Sequence, residues 1–179
     1  MAIQKVRKAG HPVLSRVAEP VSEFGSEALH TLVADMWEVV ADLNGAGLAA
    51  PQIGISLRVV VFAVEENPRY PNVEPVPRTV LINPVIMPLS EETEHGWEGC
   101  LSIPGMRGEV PRYKHLRYTG FDEHGNELDR TVSDFHARVV QHECDHLDGI
   151  LYPQRIKDLS RFGFIDELEE AGLIPKVEE

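Results

Sequence analysis

The stretch Gln141-His142-Glu143-Cys144-Asp145-His146-Leu147-Asp148-Gly149 constrains this chain more than any other. His142 and His146 are four residues apart, so a helix carries both imidazoles on one face, about one turn from each other. Two neutral imidazoles so placed can hold one metal ion, with Glu143 in reach of a water on it. Phe135, Val139, Val140 and Leu147 recur at helical spacing, Ser133 or Asp134 can cap the start, and Gly149 can end the helix. The competing reading is a core helix with two hydrogen-bonded histidines. A third ligand decides between them. Cys144 is not that ligand: two residues after His142, it lies roughly 200° around the helix and reads as a small buried apolar residue.

With 179 residues the chain is long enough to bury a core, and it reads as one domain over residues 1–179. Its net charge of −12 opposes contact with a phosphate backbone, which argues against a DNA- or RNA-binding role. No apolar run approaches the roughly 20 residues of a membrane span, and the N-terminus lacks the apolar stretch of a secretory signal. Cys100 and Cys144 do not suggest a disulfide framework, so a reducing compartment, the cytoplasm, is expected.

Residues 9–21, rich in Pro and Gly, read as an arm extended along the surface. A helix capped by Ser26 carries the stripe Leu29, Leu32, Val33, Met36, Val40 and Leu43, with Trp37 as a core residue. Asn44-Gly45 ends it, Gly45 being suited to the left-handed position. The small residues from Gly45 to Ala50, followed by Pro51-Gln52, allow the backbone to approach a ligand or a neighbouring helix. Leu57–Val64 and Thr79–Ile86 read as strands and Glu65–Pro77 as an exposed loop. Residues 95–107 place Cys100 on irregular backbone between Gly and Pro. Leu116–Phe121 and Glu127–Val132 form a hairpin, Leu151–Ile156 is a connection, and Asp158–Ala171 is amphipathic. These mixed elements predict an α+β fold, antiparallel β-sheets packed around a central metal-binding helix.

Three supplies of the third ligand separate the function classes. A metzincin-type protease needs a His where this chain has Tyr152, so that version fails. A zinc protease with a ligand from a later helix could use Glu167, Glu169 or Glu170. Cys100 offers a thiolate, a strong ligand for a borderline-soft divalent ion. A structural metal site in a non-catalytic module is the remaining class, although such sites are usually closed by four protein ligands.

Gly45-Ala46-Gly47-Leu48-Ala49-Ala50-Pro51-Gln52, Glu98-Gly99-Cys100-Leu101-Ser102 and Gln141-His142-Glu143-Cys144-Asp145-His146 resemble the three motifs of the peptide deformylases, in the family's order. Gly10-His11-Pro12-Val13-Leu14 is similar to the family's N-terminal segment. The resemblance implies hydrolysis of the formyl group from nascent N-formyl-methionyl peptides. It implies Cys100, His142 and His146 as metal ligands, Glu143 as general base, and the Leu101 N–H and Gln52 as oxyanion donors. Gly47, Gly99 and Val139 are the implied substrate contacts, and Arg138 stands where some members carry an apolar residue. Fe²⁺ is the ion implied in cells, with Zn²⁺, Ni²⁺ or Co²⁺ in purified protein. Some members dock on the ribosome through a basic C-terminal helix; the segment after Asp158 is acidic here, so any ribosome proximity is expected to be transient and without such a helix. Glu98 is expected to pair with Arg107 or Arg112, and Asp145 and Asp148 to be histidine acceptors or plain surface carboxylates.

Overall fold

The computed structural model describes residues 3–65 and 73–176. The architecture is α+β, with two antiparallel sheets meeting at one helix. The larger sheet has the order β1 (Gly47–Ala49), β2 (Val59–Val64), β3 (Val76–Pro88), β6 (His115–Phe121), β7 (Glu127–Ser133). The smaller has the order β4 (Thr93–Cys100), β5 (Ile103–Tyr113), β8 (Phe162–Phe164). Helix α1 spans Glu27–Asp42 and α2 spans Asp134–Leu147.

β2 explains the layering. Its side chains alternate between two cores, as the two-residue period of a strand requires. Val60, Phe62 and Val64 pack with Ala137, Val140, Cys144 and Leu147 of α2. Val59 and Val61 pack with Val33, Met36 and Val40 of α1. With both faces covered, β2 reads as a continuous apolar run.

The helices begin and end for local reasons. Ser26 caps α1, its Oγ accepting from the Leu29 N–H at 3.2 Å. At the other end Asn44 takes the left-handed conformation (φ 50°), not the expected Gly45, and Leu43 leaves the stripe to become the C-cap. Asn is the side chain best able to adopt that conformation after Gly. Trp37 is only partly buried and carries the Arg78 guanidinium 3.7 Å from its ring centroid. Ser133 is the N-cap of α2 but makes no capping bond with its side chain. Instead β7 runs straight into the helix through Asp134, whose N–H donates to the Lys114 carbonyl at 2.9 Å. Gly149 ends α2 in the left-handed conformation (φ 73°), where a Cβ would stand 2.7 Å from the Ser15 carbonyl carbon.

Residues 9–21 run along the surface, most of them exposed, but four apolar side chains anchor them inward. Val13, Leu14, Ala18 and Val21 are buried, and the Ala18 N–H donates to the Leu147 carbonyl at 2.8 Å. β3 is longer than the expected strand and starts inside the expected loop, of which residues 66–72 lie outside the described residues. It is interrupted by a bulge at Asn83 (φ 51°), whose side chain bonds both ways with the Val21 backbone. The β6–β7 hairpin is as expected. The segment Asp158–Ala171 is no continuous amphipathic element: Leu159–Arg161 is a 3₁₀ turn, Gly163 and the two flanking Phe form β8 against Met106–Gly108, and Ile165–Glu170 is α-helical (α3).

Candidate metal centre

Cys100 ends β4, and the expected irregular backbone around it is a tight hairpin: Cys100 pairs with Ile103, leaving Leu101-Ser102 as the turn. A bulge between Glu98 and Cys100 turns the strand end toward α2. There the Cys100 Sγ lies 3.6 Å from Nε2 of His146. One ligand atom each from Cys100, His142 and His146 lie within 4.8 Å of one another, and among the described residues no other group does so with three or more donors. Two donors at about 2.3 Å (sulfur) and about 2.1 Å (nitrogen) from a tetrahedral ion stand about 3.6 Å apart. The donor set therefore fits one divalent ion.

The surroundings hold the imidazoles in place. Nδ1 of His142 lies 2.7 Å from Oε1 of Glu98, which leaves Nε2 for a metal. Tyr152, almost fully buried, stacks on the same ring at a centroid distance of 6.2 Å. Burial, and then the neighbouring His142 and Arg112, keep His146 well below its ordinary pKa and so in the neutral, ligating form. Burial opposes ionisation of Glu98, but bonds to Arg112 and His142 outweigh it and hold the carboxyl well below the usual range. Arg112 is the bidentate partner (2.9 and 2.8 Å), not Arg107, which lines the cleft. Asp145 is buried and binds Arg112 and Arg155, while the exposed Asp148 binds Arg58. Neither carboxylate is paired with a histidine.

Glu143 faces the triad from the same helix. It is 5% exposed, its Oε2 has no partner, and burial pushes its pKa up to about 7. Its other oxygen explains Gly47: a Cβ on Gly47 would stand 2.9 Å from Oε1 of Glu143 and 2.8 Å from the Val61 carbonyl oxygen. Gln52 is buried on a 3₁₀ turn (Ala50–Ile53); its Oε1 accepts from the Ala49 N–H and its Nε2 donates to Ser102 Oγ at 3.1 Å, 3.5 Å from Cys100 Sγ. A cleft of about 310 Å³ opens beside them, walled by Leu101, Phe135, Val139, Arg138 and Ile165. Gly99 lines it too, with nothing nearer than 3.6 Å to where a Cβ would be. Cys144 faces the apolar core, and burial raises its thiol pKa far above normal.

The polypeptide deformylase family matches residues 3–162 of this chain. The chain belongs to the polypeptide deformylase family. Peptide deformylase 1 of Nitrosomonas europaea is 63% identical over 93% of this chain and 94% of its own length. Peptide deformylase 2 of Ralstonia nicotianae is 57% identical over the same shares. The Met-Ala-Ser-bound crystal structure of a class I type b peptide deformylase from Acinetobacter baumannii superposes with a TM-score of 0.83 at 40% identity, covering 87% of this chain and 99% of that one. The family's three motifs coincide here with three structural parts. They are an edge strand with its 3₁₀ turn, the β4–β5 turn, and α2.

Several contacts of the deformylase centre escaped the sequence. Arg155 lies outside the motifs, Tyr152 enters the sequence reading only as a missing histidine, and Arg112 is expected beside Glu98 but not beside Asp145. Arg138 is expected at the pocket rim, four residues before His142 and so on its helix face, but not as a partner of Glu98. Ile165 comes from the C-terminal segment, on the apolar side of the amphipathic reading of Asp158–Ala171, with nothing in the sequence to direct it to the cleft.

Proposed function

We propose that the chain performs the deformylase reaction, removal of the formyl group from the N-terminus of newly made polypeptides, at the cleft beside Cys100, His142 and His146. Those three side chains would hold one divalent ion, Fe²⁺ in cells, with Zn²⁺, Ni²⁺ or Co²⁺ able to take its place. When bound, the ion supplies a water ionisable near neutral pH and an electrophile for the formyl oxygen.

Glu143 takes the proton from the attacking water and delivers it to the leaving amine. Its burial suits this exchange, since a carboxyl raised to about 7 gives and takes protons readily near neutrality. The oxyanion formed on the formyl carbon meets the Leu101 N–H and Nε2 of Gln52, whose second N–H remains for Ser102. β1 lies at the edge of its sheet, so Gly47 can pair with an extended substrate as an added strand. Val139 lines the pocket for the first side chain, and Gly99 leaves its mouth open. The substrates are N-formyl-methionyl nascent chains in the cytoplasm, reached without a basic ribosome-docking helix and without DNA. No described helix is long and apolar enough to cross a membrane.

The observation that carries this reading is the buried Glu143, with one oxygen unpartnered, facing a three-donor site. A structural metal module has no use for such a residue. Metal-loaded protein given formyl-Met-Ala-Ser should release formate and leave casein intact. Casein cleavage would mark a protease, and bound metal without either product a structural module.

A further inference from the structure

Resting on the reading above, one departure in the pocket wall bears on which first side chain the site accepts. Arg138 is 9% exposed, yet it forms part of the cleft between Phe135 and Val139. It fits there because residue 96 is glycine. A Cβ on Gly96 would stand 2.8 Å from Cζ and 2.9 Å from both Nε and Nη2 of Arg138. The guanidinium lies across the place where a side chain would be.

Arg138 is held from behind. Nη1 donates to Oε2 of Glu98 at 2.7 Å and to the Val110 carbonyl at 2.9 Å, and Nη2 donates to the Glu94 carbonyl at 2.6 Å. A guanidinium has five N–H groups. The Nε–H and one Nη2–H are left without an acceptor among the described residues, while the face of the guanidinium lies against Gly96. Nor is the charge fully balanced. Glu98 is shared between Arg112, Arg138 and His142, while Asp145 is shared between Arg112 and Arg155. Two carboxylates face three guanidinium groups.

We propose that Arg138, seated on Gly96, is a specificity-determining residue that equips the apolar first-side-chain pocket with a cationic hydrogen-bond donor. The pocket then takes formylated residues whose side chain ends in an acceptor, methionine sulfoxide being the probe closest in size to methionine, in preference to an all-hydrocarbon side chain of equal length. Apolar walls grip the methylene stem, and the guanidinium receives the sulfoxide oxygen. In an all-apolar pocket the same oxygen would lose its water without replacement.

The test compares kcat/KM for three peptides differing only in the first residue: formyl-Met-Ala-Ser, formyl-Met-sulfoxide-Ala-Ser and formyl-norleucyl-Ala-Ser. In the unaltered enzyme the sulfoxide should exceed norleucine. In Arg138→Leu the sulfoxide-to-norleucine ratio should fall about 10- to 100-fold, the scale of one charge-assisted hydrogen bond, and Arg138→Lys should restore part of it. The ratio is internal to each enzyme, so a general loss of activity from disturbing Glu98 cancels. Gly96→Ala, which displaces the guanidinium without removing it, should lower the ratio in the same direction should Arg138→Leu fail to fold. A sulfoxide rejected 100-fold relative to norleucine by the unaltered enzyme would overturn the proposal, as would a ratio unchanged in the variants. Formate release from the formyl-Met peptide in the same experiment keeps the deformylase reading separate.

Discussion

Oε1 of Glu98 sits 2.7 Å from Nδ1 of His142, and this contact joins the two halves of the metal centre. Glu98 is on the strand that carries Cys100, and His142 is on the helix that carries His146. One carboxylate thus sets the distance between thiolate and imidazoles. Glu98→Gln should lower metal affinity about 10- to 100-fold, as loss of an acceptor behind a ligating histidine does. It should also destabilise the fold, by about 3–5 kcal/mol for a broken buried ion pair. Because the folded carboxyl is held far below its ordinary 4.5, its contribution is complete above that pH and is lost as pH falls below it. Urea unfolding should therefore show the gap between the parent protein and Glu98→Gln narrowing from about pH 7 to about pH 3. A gap constant over that range would deny Glu98 this role.

Glu143→Gln should keep the metal and lose turnover by at least the roughly 10²–10⁴-fold worth of a general base. A second consequence appears without metal. Burial raises this carboxyl to about 7 from 4.5, so ionising it costs the folded state stability as pH rises through that window. Metal-free Glu143→Gln should accordingly be more stable than the metal-free parent at about pH 8, on the order of 3 kcal/mol, and no more stable at about pH 4. Thermal melts at the two pH values decide it.

Cys100→Ala should lose metal and activity together, whereas Glu167, Glu169 and Glu170 changed to Gln should alter neither. Elemental analysis reads this directly. Metal-free protein reloaded anaerobically with Fe²⁺ should turn over formyl-Met peptides faster per bound ion than the Zn²⁺ form, because a thiolate and two imidazoles tend to keep zinc four-coordinate. Air should then inactivate the iron form through the metal and the Cys100 thiolate. An iron form no faster than the zinc form, or indifferent to oxygen, would remove the coordination argument.

Truncation after Leu159 removes β8 from the edge of β5 and Ile165 from the cleft wall. It should raise KM for formyl-Met-Ala-Ser and lower stability, while leaving ribosome co-sedimentation unchanged, since the lost segment is acidic. Salt-sensitive co-sedimentation that disappears on truncation would contradict this.

The parts legible in the sequence were those with a short period or a fixed spacing. α1, α2 and the β6–β7 hairpin announce themselves by apolar recurrence, and the three metal donors by their motifs. β4 and β5 were missed because Gly96, Gly99, Pro104, Gly105, Gly108 and Pro111 give them the composition of a loop. They are strands because they pair with each other and lie beside α2, which is tertiary context. The pairing of Glu98 with Arg112 is expected from the sequence, but the ties of Arg138 to Glu98 and of Arg155 to Asp145 are hidden for the same reason. Arg112 meets Glu98 only after β5 folds back on β4. In residues 9–21, Pro and Gly obscure the buried apolar residues Val13, Leu14, Ala18 and Val21.

The anchoring of this segment bears on when the enzyme becomes competent during its own synthesis. The bond from Ala18 to Leu147 closes most of the chain into one loop, and Gln52 meets Cys100, and Glu98 meets His142, across long separations as well. Contacts so distant in sequence form late, after the entropy of closing their loops has been overcome. The full three-donor site therefore exists only once these contacts are made. A nascent copy of this chain has no complete centre until α2 has left the ribosome and met the segments made before it.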